Sequence, residues 1–242
     1  MNPVKQYIEN YLSESLFDDE DTFLDPERDK KIVELWIKEN CKLSGKLKIN
    51  DDLIVDCSGT VIIKNDDIEY LTNGLFRWGK IDGSFYCNDC ENLKSLEGAP
   101  KEVGLNFNCN DCENLESLEG CPEEIGGNFD CSWCKNLESL EGAPEEVGGS
   151  FYCNGCENLK SLEGAPKEVK KNFECIGCGK IKDLEGAPEY VKCDFYCTGC
   201  ENLSSLKGTL KEVGNNLVCY DCKNLTSLKG APKEVGGDIY AF

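Results

Sequence analysis

Residues 84–105 read SFYCNDCENLKSLEGAPKEVGL, and the next stretch, residues 106–127, reads NFNCNDCENLESLEGCPEEIGG. The first cysteine of the pair returns at Cys87, Cys109, Cys131, Cys153, Cys175, Cys197 and Cys219, a constant step of 22 residues. The second keeps that step through Cys90, Cys112, Cys134, Cys156, Cys178, Cys200 and Cys222, so the repeat accounts for fourteen of the 18 cysteines. The fixed positions of a unit are an aromatic residue, the two cysteines, Leu93, Leu96, Gly98, Pro100 and Val103. A unit this small cannot enclose its own core, so successive units must stack and share one. The expectation is a repeat solenoid in which every coil contributes a parallel strand, with coils about 4.8 Å apart and an array roughly 40 Å long.

Within a coil, Phe85 and Cys87 alternate inward on the strand, while Tyr86 and Asn88 point outward on a face expected to be concave. Cys90 falls in the following turn, where an inward small residue bonds to backbone, and Leu93 and Leu96 return to the core. Gly98 and Pro100 break any helix, which leaves the convex side as short extended or turn segments closed by Val103. The pattern therefore predicts a leucine-rich-repeat array with its parallel β-sheet on the concave face. Residues 84–242 hold seven repeats and a final strand. Residues 43–83 read as degenerate N-terminal repeats, with Ile63, Ile68, Leu71 and Ile81 placed 22 residues before Phe85, Cys90, Leu93 and Val103. Residues 1–42 form an N-terminal helical segment: Val4, Tyr7, Ile8, Tyr11 and Leu12 share one face, the acidic run Asp18 to Asp21 follows, and a second helix starts at Asp25, Pro26 and Glu27 with Ile32, Val33, Leu35, Trp36 and Ile37. A cap on the solenoid end is the expected role, a docking element the alternative. At the other end Ile239, Tyr240 and Ala241 match the strand of a new unit without a polar cap, an edge open to a partner or a second copy unless it is itself the cap.

These repeats resemble the short bacterial-type leucine-rich repeats of secreted effector proteins. More closely, they are similar to the uncharacterised NLTSLEGAPKEVGG-type repeat proteins met in tailed-phage genomes, a likeness that covers about residues 46–242. The resemblance implies the fold and a phage origin; such repeats host many binding functions, so it leaves the partner open. Where relatives carry asparagine at the second turn position this chain has cysteine.

Composition narrows the function. The absence of histidine removes Ser-His-Asp and Cys-His catalysis and every histidine-containing metal site. A formal charge of -20, from 46 acidic and 26 basic residues, repels nucleic acid and anionic membranes and suits a basic partner, or serves solubility alone. No stretch approaches a membrane span and the N-terminus lacks a secretion signal, so the expected location is the cytoplasm, that of the host cell for a phage protein.

The spacing C-x2-C-x18-C-x2-C matches a zinc ribbon, yet it overlaps itself along the array, and the coil already demands small buried residues at both positions. Core packing by reduced thiols is the primary reading; metal or redox chemistry at the cysteine columns is the alternative, and no cofactor, metal or catalytic residue is nominated. Cys121 replaces the alanine of Gly-Ala-Pro, and Cys193 replaces a surface residue, which makes it the more reactive candidate. Two carboxylate columns, Glu97 through Glu185 and Glu102 through Glu234, read as a solvated face relieved by Lys101, Lys167, Lys211 and Lys233. The function-like positions are those where the repeat varies on the concave face: Tyr86, Asp130, Tyr152, Glu174, Tyr196, Val218 and Tyr240 in one column, with Trp133, Ile176 and Tyr220 beside it. Tyrosine and tryptophan in an acidic surround are typical interface anchors. The expected function is non-enzymatic protein binding, with Tyr86, Asp130, Trp133, Tyr152, Glu174, Tyr196, Tyr220 and Tyr240 meeting a basic partner surface. Given the phage resemblance, the sharper expectation is an inhibitor of a host defence protein such as a CRISPR effector nuclease, acting as a monomer or small oligomer. A self-assembling virion component, stacking through the last strand, is a further alternative.

Overall fold

The computed structural model describes residues 26–64 and 67–241. The apolar face from Val4 to Leu12 and the acidic run at Asp18 lie outside the described residues. The described residues form a β-solenoid of about eight turns built on two parallel sheets, with one short helix among them, ahead of the sheets.

The helix, Pro26–Asn40, has proline at its first position, Glu27 and Asp29 in its first turn and Lys38 in its last, all suited to the helix dipole. Its buried face is Ile32, Val33, Trp36 and Ile37. Trp36 meets Phe76 edge-on at 5.2 Å between centroids, Phe76 meets Trp78 at 5.3 Å, and Trp78 meets Phe85 at 5.8 Å. From Phe85 the rings continue through Phe107, Phe129, Phe151, Phe173 and Phe195, each centroid 4.9 to 5.9 Å from the next. One aromatic file thus runs from the helix through the array, inside a core that also holds Cys87, Cys90, Leu93, Leu96 and Val103 and their equivalents.

The first sheet has ten strands, from Cys41–Leu43 through Val61–Ile63 and Phe85–Tyr86 to Ile239–Ala241, and only its first pair is antiparallel. Along it Phe85 pairs with Phe107, Phe107 with Phe129, and so on in strict register. Register explains the side-chain file: a constant coil length places each residue on its own equivalent one strand away. The same constancy builds a second ten-stranded sheet, running from Leu47–Ile49 and Ile54–Cys57 through Glu102–Val103 to Glu234–Val235, where simple extended segments were expected. These strands are two residues long in the repeat region, and their valines and Ile125 pack inward. A third row of bonds joins the leucine corner, as in Leu96 N–H to the Glu119 carbonyl at 2.9 Å and Leu140 N–H to that of Glu163 at 2.8 Å.

The start of the array corrects one sequence expectation. Val61, not Ile63, pairs with Phe85, whereas Ile81 pairs with Val103 as the 22-residue step requires. The first coil is therefore two residues longer than the others, and the excess falls between Val61 and Ile81. Coil stacking is close enough to exclude side chains at some corners. Gly142 has φ 86°, and a Cβ there would lie 2.6 Å from the backbone of Leu118 and Glu119 in the coil before. That is why the Gly-Ala-Pro corner begins with glycine.

Candidate partner-binding face

The outward side of the first sheet carries the variable column. Its register runs Tyr86, Asn108, Asp130, Tyr152, Glu174, Tyr196, Val218, Tyr240, each beside the next. The nominated residues fall into four groups. Asp130, Tyr152, Glu174 and Tyr196 form one uninterrupted row on four adjacent strands, all half-buried. Tyr86 is separated from this row by Asn108. Tyr220 and Tyr240, 42 % and 38 % exposed, pair with each other at 5.9 Å near the last strand.

Within the row the acids and phenols are held by their neighbours. Asp130 Oδ1 accepts the Ser132 N–H at 2.9 Å, which fixes its carboxylate over the turn. Glu174 Oε2 accepts from Asn154 Nδ2 at 3.3 Å. Burial, then the charges of Asp194 and Glu174, pushes the Tyr196 phenol above its ordinary value, so it stays a neutral hydroxyl. The Tyr240 hydroxyl donates to Asp238 Oδ2 at 3.2 Å, and that bond raises its pKa likewise.

Trp133 stands apart, at the turn between the two cysteines. All seven residues at this position have positive φ: Asp89, Asp111, Trp133, Gly155, Gly177, Gly199 and Asp221. Aspartate and glycine tolerate the left-handed region, whereas a bulky residue there is an outlier. Trp133 takes it at φ 63°, is 50 % exposed, and lies over Gly155, where an added Cβ would come 2.3 Å from its Cε3. The turn's handedness was readable in the Asp/Gly preference of the sequence, and so was a row not singled out there: Ser84, Asn106, Asn128, Ser150, Asn172, Asp194, Asn216 and Asp238, just ahead of each strand. Nearly every one uses its side-chain oxygen to accept the N–H of its successor, as Asn106 Oδ1 does from Asn128 N at 2.9 Å.

The cysteine columns are free thiols throughout. From the second pair on, the second thiol donates to the carbonyl of the first cysteine one coil earlier, from Cys112 to Cys87 at 3.2 Å through Cys222 to Cys197 at 3.1 Å, while Cys90 donates to the Asn88 carbonyl of its own coil at 3.7 Å. This is the backbone-bonding role expected of the turn position. Burial pushes the thiols of Cys41, Cys87, Cys109, Cys121, Cys131 and Cys153 up, Cys41 to about 12. Thiol-to-thiol hydrogen bonds lead in raising Cys156, Cys175 and Cys197, with burial added. At Cys178 the bond with Cys153 lowers the pKa but is outweighed by the bond with Cys156 and by burial. Only Cys219 and Cys222, at the end of the array, are lowered, through bonds with Cys197. Protonated thiols are poor nucleophiles and poor metal ligands. Among the described residues no three cysteine, aspartate or glutamate side chains converge closely enough to hold a metal ion. No helix among them is long and apolar enough to cross a membrane.

Set against known proteins, the chain matches no family model, and no curated protein or solved structure is significantly similar to it.

Proposed function

We infer that the chain is a non-enzymatic protein-binding solenoid of the leucine-rich-repeat type, whose row Asp130, Tyr152, Glu174 and Tyr196 receives a basic surface of a partner protein. The observation that carries this reading is the alternation of acid and phenol on four strands in register. Neighbours in the row are one strand spacing apart, about 4.8 Å, so a lysine or arginine that reaches one carboxylate also lies against a tyrosine ring. Stiff aromatic rings lose little freedom on binding, and half-buried carboxylates are partly desolvated already, both favourable for an anchor. Trp133 and the Tyr220–Tyr240 pair flank the row as further contacts. In this reading the helix Pro26–Asn40 is the N-terminal cap, closing the core through Trp36 on Phe76.

The net charge of -20 and the resemblance to tailed-phage repeat proteins support a sharper form. The partner is then a host defence nuclease, such as a CRISPR effector, and the carboxylates occupy the basic groove that otherwise holds nucleic acid phosphates. The test is an affinity pull-down from host lysate with the full chain and with a Tyr86→Ala, Tyr152→Ala, Tyr196→Ala triple variant, read by mass spectrometry. A basic, nucleic-acid-handling partner that the triple variant fails to retain is the expected outcome. A partner retained by the variant, or none at all, removes this face from consideration.

A further inference from the structure

The corner after each Gly-Ala-Pro segment opens a groove between successive coils, on the side of the second sheet and away from the tyrosine row. One such groove, about 730 Å3 in volume, has an apolar floor of Pro122, Pro144, Ala143 and Cys121. Its walls carry Glu123, Glu124, Glu145 and Glu146, all exposed. Glu124 and Glu146 are direct register partners on adjacent strands, so their like charges repel at one strand spacing. No ion pair joins any of the four to a described residue. Lys170 also lines the groove, but its ammonium group sits 3.1 Å from Glu168.

Elsewhere in the array this corner carries lysine beside its glutamates, and three of its carboxylates are paired with lysine. The two residues ahead of the inward valine are Lys101 and Glu102, Lys167 and Glu168, Lys211 and Glu212, or Lys233 and Glu234. Glu102 is paired with Lys80 at 3.3 Å, and Glu168 with Lys170 and Lys192. Around Glu189 and Tyr190 the arrangement is most complete: Lys167 and Lys211 reach the Glu189 carboxylate, and the Lys192 and Lys211 ammonium groups each lie 5.8 Å from the Tyr190 ring centroid. Where carboxylates of this side are paired, it is lysine ammonium groups that they hold. At Glu123 and Glu145 one of the two flanking residues is the other glutamate, and the lysine on the remaining side, Lys101 or Lys167, makes no ion pair with them.

We propose that the groove between Pro122 and Glu146 is a second docking surface, which takes the lysine side chains of an extended basic peptide segment from a partner protein. The apolar floor receives the peptide's small side chains and methylene stems, and the four carboxylates receive the ammonium groups. The volume is that of an ordinary ligand groove, in the range of about 300–1,000 Å3.

The probe is a fluorescein-labelled octapeptide of alternating lysine and alanine, titrated with the purified full chain at low salt and followed by anisotropy. Two double variants have the same net charge. Glu123→Lys/Glu145→Lys installs the lysines that other coils carry, so it suits the fold; Glu119→Lys/Glu163→Lys alters exposed glutamates outside the groove. The first should weaken the peptide about tenfold, and so should Glu123→Gln/Glu145→Gln to a smaller degree. The second variant and the tyrosine triple variant should bind as the parent does. Equal weakening by both lysine pairs would show diffuse attraction to an acidic protein and overturn the proposal. So would loss of the peptide in the tyrosine variant, or no binding to the parent chain.

Discussion

Raising the pH from 7.5 to 9.5 under reducing conditions should strip the solenoid of most or all of its stability. A thiol in the unfolded chain ionises near pH 8.5. Ten cysteines have folded-state values above the ordinary thiol range. The sign follows directly: above pH 8.5 the unfolded state releases protons that the folded state keeps, so stability falls as pH rises and is untouched well below that value. One pH unit above the unfolded value, each such thiol removes about 1.4 kcal/mol. Summed over several such thiols, the loss reaches the order of a typical domain stability of about 5–15 kcal/mol. Cys219 and Cys222, which are lowered, act in the opposite direction. Far-UV circular dichroism should show a cooperative transition between about pH 9 and 10, below the main titration of tyrosine and lysine. Urea midpoints at pH 7.5, 8.5 and 9.5 should fall progressively, and a Cys153→Ala/Cys175→Ala variant should show a shallower pH dependence despite its lower starting stability. A urea midpoint at pH 9.5 equal to that at pH 7.5 would show that the fold does not hold the thiols protonated.

Three other outcomes follow from the packing. Phe129 is fully buried between Phe107 at 5.9 Å and Phe151 at 4.9 Å, so Phe129→Ala should cost about 3–5 kcal/mol by urea denaturation and Phe129→Leu distinctly less. Gly142→Ala, which meets backbone of the preceding coil, should cost about 3 kcal/mol, whereas Gly177→Ala, with positive φ but open space around it, should cost only about 1 kcal/mol. Equal costs would mean that coil contact does not limit the corner. Trp133→Gly relieves a left-handed bulky residue and should leave thermal stability within about 1 kcal/mol of the parent. If Trp133 is an anchor, the same variant should bind the partner at least tenfold more weakly in a surface-binding assay, about 1.4 kcal/mol.

The inward pattern was legible because a fixed 22-residue step leaves little freedom: Phe85, Cys87, Cys90, Leu93, Leu96 and Val103 all sit in the core. The second sheet was not, because a Glu-Val pair is too short to show strand periodicity and becomes a strand only when identical neighbours stack beside it. Sequence spacing put Ile63 where Val61 stands for a related reason: the first coil has no periodic partner before it to reveal two extra residues. The column of variable residues could be read from position alone. That Asp130 is pinned by the Ser132 N–H, and that Trp133 occupies a left-handed turn, are properties of backbone torsion which residue types signal only statistically.

Coils of constant length with strict register also make the molecule a ruler. Insertion or loss of one whole 22-residue unit would preserve every contact of the remaining coils while moving Tyr86 and Tyr240 apart or together by one strand spacing, about 4.8 Å. Gain or loss of whole units would therefore change the reach of the binding surface in discrete increments, whereas a change of one or two residues shifts the register within the coil that carries it, as the two extra residues between Val61 and Ile81 do at the start of the array.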